Sequence, residues 1–186
     1  MIRELDNMNS SMRARLLVYP IVLFSALLGC SQERRFTQPN SAMEPTVLEG
    51  EKFAVDTTAY RGRAVSRGDV VVFKHDGLLI LKRVIAISDD IVEGRDFQII
   101  LSGKPLREAY IQHTGKNSIS GQTSFLRTFN QVKVPSGFIF VMGDNRDYSD
   151  DSRNPKFGII TAEQVLGKAV RVVKSDRPQR EGSAIR

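Results

Sequence analysis

A chain of 186 residues that is 41% hydrophobic has room for one core of ordinary size plus a short appendage, and is too apolar to be disordered throughout. Much of its net charge of +6 lies near the two ends, in Arg13, Arg15, Arg34 and Arg35 and again in Lys168, Arg171, Lys174, Arg177, Arg180 and Arg186. No aromatic residues interleave with these cations and no helix-turn-helix or RNA-binding signature occurs, which argues against nucleic acid as a partner and favours lipid headgroups. The single cysteine, Cys30, excludes an intrachain disulfide and a cysteine-built metal site.

The first element is the apolar stretch LLVYPIVLFSALLGC, Leu16 to Cys30. It falls short of the roughly 20 residues a spanning helix needs, but it suits a signal-peptide core preceded by the basic pair Arg13 and Arg15. Its ending, Leu27-Leu28-Gly29-Cys30, resembles the lipobox of bacterial lipoproteins, in which the cysteine is acylated; the rival reading is an uncleaved anchor. Either way residues 1–35 form a signal or anchor segment. A soluble domain over 36–175 is then expected on the outer face of the bacterial cytoplasmic membrane, against membrane lipids, with 176–186 a disordered tail.

Beyond residue 50 the pattern is mainly β. EKFAVDT (51–57) alternates, GDVVVFKH (68–75) is β-branched, and LLILKRVIAI (78–87) is apolar on both faces after a turn at Asp76-Gly77, so the last two predict a hairpin. FQIILSGKPL (97–106) reads as a strand with a Ser-Gly turn, and GFIFVMGD (137–144) as a buried strand ending in polar residues. Tyr110 to Val132 reads as an exposed excursion, Thr161 to Leu166 as a short helix capped by Thr161 and Gln164, and KAVRVVK (168–174) as a closing strand.

Chemistry concentrates at three places. Lys82, flanked on its strand face by Ile80, Val84 and Ala86, points toward an apolar surface; desolvation lowers a lysine's pKa and fits it for general-base work, although edge-strand lysines also serve as gatekeepers or snorkel to water. His75 and His113 are the only histidines and neither belongs to a nucleophile elbow, so a Ser-His-Asp triad is disfavoured and a serine-lysine pair is the variant that needs none. The polar run VMGDNRDYSDDSR (141–153) lacks the glycine and glutamate of a calcium loop; Asp151 with Arg153 suits a buttressing ion pair, and Ser149 suits a donor that orients the lysine amine.

These pieces, SAMEPT (41–46), GDVVVFK (68–74), KRVIAI (82–87), LSGKPL (101–106), GDNRDYSDDSR (143–153) and Phe157-Gly158, resemble in order the bacterial type I signal peptidases, membrane-bound serine-lysine endopeptidases that remove signal peptides from exported preproteins. The resemblance implies packed antiparallel sheets of the signal-peptidase type and no cofactor. It also implies Lys82 as general base, Ser149 as the hydroxyl orienting it, and supporting roles for Asp144, Arg146, Asp151 and Arg153. Substrates would bind as an added strand, with small residues at the first and third positions before the cut.

One departure stands out. The family's nucleophilic serine immediately precedes the methionine, and here that place is Ala42, with Ser41 one residue earlier. In an extended segment a one-residue shift turns the side chain to the opposite face. Three readings follow: Ser41 is a displaced nucleophile, the chain is an inactive relative that binds exported chains or assists their assembly, or Ala42 stands where the natural enzyme has serine. The self-cleaving repressors share a related serine-lysine core but begin with a DNA-binding domain, where this chain has a signal-like segment.

Overall fold

The computed structural model describes residues 32–113 and 128–186. The Leu16–Cys30 segment, with Cys30 itself, and most of the Tyr110–Val132 excursion lie outside the described residues. Among the described residues no helix is long and apolar enough to cross a membrane.

The described residues run through eleven strands: β1 (Glu33–Thr37), β2 (Lys52–Asp56), β3 (Val70–His75), β4 (Leu78–Ala86), β5 (Ile91–Arg95), β6 (Gln98–Leu101), β7 (Lys104–Pro105), β8 (Phe129–Lys133), β9 (Phe138–Met142), β10 (Ile160–Thr161) and β11 (Val165–Lys174). They form a seven-stranded sheet in the order β1-β2-β11-β3-β4-β9-β10 and a four-stranded sheet in the order β7-β6-β5-β8, with antiparallel pairing throughout.

The β-branched run of β3 is explained by burial on both faces. Val70 and Val72 join a core with Phe53, Val55, Leu81 and Val172, while Val71 and Phe73 join the opposite core with Val84, Val141 and Ile160. A third core, containing Ile85, Val92, Ile99 and Phe140, joins the end of the large sheet to the small one. The β3–β4 hairpin closes on Asp76 (φ 46°) and Gly77 (φ 79°), a left-handed pair that matches strand twist.

Three expectations are corrected. The segment predicted as a helix near Thr161 is a single 3-10 turn, Ala162–Gln164, because β11 already begins at Val165; the Thr161 amide does donate to Gln164 Oε1 at 2.8 Å. The domain begins before residue 36, since β1 pairs with β2 from Glu33 onward. The tail expected to be disordered is held against the body. Ile185 is buried in the first core, its amide donates to the Val170 carbonyl at 3.0 Å, and Arg180 pairs with buried Glu51 and donates to the Thr46 carbonyl at 2.8 Å.

Candidate active site

Residues 41 to 43 form a single 3-10 turn rather than an extended segment. Asn40 is extended and caps the turn, its side-chain oxygen accepting from the Ala42 amide at 3.1 Å. Asn145 grips the turn from the other side: its side-chain amide donates to the Ser41 carbonyl and its backbone amide to the Ala42 carbonyl, each at 3.1 Å. Met43 and Val47 anchor the segment in the core. With about three residues per turn, successive side chains leave such a helix roughly 120° apart, so Ser41 and Ala42 point in different directions.

A groove of about 720 Å³ runs beside this turn. Its walls are the extended Phe36–Asn40 segment and the first half of β4, Leu78–Lys82, with Tyr148 and Phe157 also contributing. Ala42 and Lys82 both line it, whereas Ser41 does not. The groove has a free backbone edge: β4 pairs with β9 only from Arg83 onward, so among the described strands Leu78–Lys82 has no partner on that side. An extended peptide can pair there as an added strand.

Lys82 is 5% exposed, and among the described residues its side-chain amine makes no hydrogen bond or ion pair. Burial lowers its pKa, an effect that the Asp151 carboxylate opposes in part. The amine is therefore shifted toward the neutral form that can accept a proton. The sign of the linked stability follows. The unfolded chain holds an ordinary lysine, near pKa 10.4, so it binds more protons than the native state over the interval between the two pKa values, and stability rises with pH there. Lys82→Met should accordingly raise neutral-pH stability by about 1 kcal/mol, a gain that shrinks as pH approaches 10. Urea unfolding across pH checks this; a net loss of stability at neutral pH would refute it.

The polar run folds into a buried charge lattice. Asp151 accepts from Arg153 Nε at 2.8 Å and Nη2 at 2.9 Å, and from the Gly143 amide at 3.0 Å. Arg153 Nη1 donates in turn to the Arg146 carbonyl at 2.9 Å, and Arg146 Nε to the Gly143 carbonyl at 3.0 Å. Asp144 is clasped by Arg83, Nε to Oδ1 at 2.8 Å and Nη2 to Oδ2 at 2.7 Å, while Arg146 pairs with Glu108. Arg83, Glu108 and Asn145 were not nominated from the sequence. Arg83 lies within the KRVIAI block, but nothing local ties it to Asp144.

Ser149 is 1% exposed, and among the described residues its hydroxyl has no hydrogen-bond partner. The bond from Ser149 to the lysine amine expected from the sequence is absent. The hydroxyl lies instead beside the Gly143 backbone, where an added Cβ would come within 2.3 Å of Ser149 Oγ and 2.5 Å of the Ala42 carbonyl oxygen. Only glycine allows the turn and the polar run to approach this closely.

The family model described as "Signal peptidase, peptidase S26" matches residues 11–174. This chain belongs to the signal peptidase family. Signal peptidase I V of Bacillus subtilis is 34% identical over 131 residues, covering 68% of this chain and 77% of the relative. Signal peptidase IB of Staphylococcus aureus is 33% identical over 147 residues, covering 72% of this chain and 73% of the relative. A crystal structure of a signal peptidase I from Enterococcus faecalis aligns with a TM-score of 0.47 at 31% identity, over 57% of this chain and 97% of that one.

Proposed function

We propose that this signal peptidase family member recognises the small-residue cleavage region of exported preproteins at the outer face of the bacterial cytoplasmic membrane, tethered by its N-terminal segment. The preprotein lies as an added strand in the groove between Phe36–Asn40 and Leu78–Lys82. Lys82 is the base of the site, and Ser41, the hydroxyl nearest in sequence to the family's nucleophile position, is not among the residues that line the groove. The observation that carries this reading is that Ala42, not Ser41, shares the groove with Lys82. Binding without cutting is then the activity of the chain as written.

A second reading, a Ser41/Lys82 dyad that cleaves signal peptides, draws support from Lys82 itself, since burying an unpaired amine opposes stability and serves chemistry. It requires Ser41 to turn through roughly 120°. The Asn40 cap and the two Asn145 hydrogen bonds oppose that rotation.

Binding is read with a labelled peptide carrying an Ala-x-Ala site, using the full chain in detergent. Saturable binding that a Leu-x-Leu peptide fails to match, with the bound peptide recovered intact, is expected. Equal binding of both peptides would defeat the recognition claim.

A further inference from the structure

The outer face of β1, β2 and β11 carries charge that the peptide groove does not use. The register aligns three rows across these strands: Glu33, Asp56 and Lys168; Arg35, Ala54 and Arg171; Thr37, Lys52 and Lys174. The carboxylates here have other tasks. Glu33 pairs with Arg171, Glu51 with Arg180, and Asp56 accepts from Thr58 at 2.7 Å. Arg35, Lys52 and Lys174 are exposed and make no ion pair among the described residues. Lys52 lies directly opposite Lys174 on the neighbouring strand, an arrangement that opposes folding unless an anion is shared.

These three cations line one shallow depression of about 600 Å³. Glu181 is its one acidic lining residue, and an oxygen of Glu181 already accepts from the Ser175 amide at 3.2 Å. Phe36 and Thr37 line both this depression and the peptide groove, so the two sites adjoin along β1. Only four residues of chain separate Cys30 from Arg35, a span of no more than about 18 Å when extended.

We infer that Arg35, Lys52 and Lys174 form a phosphate-binding surface that seats anionic lipid headgroups. The inference rests on the membrane tethering proposed above and adds to it a specific contact: the domain lies with the β1 end of its groove against the headgroup layer. An exported chain emerging from the bilayer would then meet the groove without crossing open solvent.

The test offers the full chain a choice between phosphatidylcholine vesicles and vesicles with about one-third phosphatidylglycerol, at about 0.1 M salt, and measures the partition ratio. Each cation near an anionic surface favours binding about fivefold, so Arg35→Gln/Lys52→Gln/Lys174→Gln should lower the ratio on the order of 100-fold. Lys104→Gln/Arg107→Gln/Lys133→Gln changes net charge equally, at the four-stranded sheet and the segment just after β7, and should lower it less than about tenfold. Equal losses in the two variants, or no loss in the first, would overturn the inference. If about 10 mM inorganic phosphate raises the melting temperature of the chain through these residues while the vesicle ratio stays unmoved, the surface is a free-phosphate site and the lipid assignment is wrong. Failure to bind neutral vesicles contradicts the tether alone, because binding to the anionic vesicles still reports on the three cations.

Discussion

Ala42→Ser should convert the chain into an active peptidase, raising cleavage of an Ala-x-Ala peptide on the order of 10³-fold or more over the chain as written. Residue 42 lines the groove alongside Lys82 and is 5% exposed, so an added hydroxyl enters a site that already excludes most water. The Lys82 amine is buried with its pKa lowered by burial, Asp151 opposing in part, and among the described residues the buried Ser149 hydroxyl has no hydrogen-bond partner. A serine at 42 attacks the scissile carbonyl as Lys82 takes its proton; the neutral amine is the working form. The rate of the variant should therefore climb with pH, along a limb lying below the ordinary lysine pKa of about 10.4. A limb centred near pH 6.5 would point to a histidine instead.

The second large effect is on stability. Asp151 is fully buried and accepts hydrogen bonds from Arg153 and from the Gly143 amide. Asp151→Ala should cost about 3–5 kcal/mol, because it removes one member of a buried ion pair and the acceptor of the Gly143 amide. Burial alone would raise the Asp151 pKa, but Arg153 more than offsets this and the pKa is lowered. A carboxylate with a depressed folded pKa stabilises above its unfolded value of about 3.9, and the contribution disappears as pH falls through the folded value. The gap between the parent chain and Asp151→Asn should thus be widest near neutrality and close in strong acid. Chemical unfolding of both across pH measures it; a gap independent of pH would deny the ion pair its role.

Local pattern made much of this fold legible. β2, β3, β4, β9 and β11 each carry alternating or continuous β-branched runs, and a two-sided core imposes that pattern. β1 was not legible, because ERRFT sends only Phe36 into the core and its other residues face outward as an edge strand does. The tail misled for a related reason: a charged stretch of low hydrophobicity is tied down by Ile185 in the first core and by Arg180 reaching Glu51, 129 positions away.

The site divides along the same line. Lys82 and the 141–153 run were visible because their polar residues interrupt or end buried strands. Their partners were not. Arg83 reaches Asp144 across 61 residues and Asn145 reaches Ser41 across 104, separations at which sequence pattern carries no information. The 3-10 turn at Ser41–Met43 is too short to have a period, yet its geometry turns Ser41 and Ala42 in different directions, and only Ala42 lines the groove.

The most direct measurement compares cleavage of one Ala-x-Ala peptide by the full chain in detergent as written, as Ser41→Ala, and as Ala42→Ser. With Ala42 rather than Ser41 lining the groove that Lys82 also lines, the first two should be equally inert and only the third should cut. Cleavage by the chain as written that vanishes in Ser41→Ala would contradict this account, placing the nucleophile at Ser41 in a turn that has rotated.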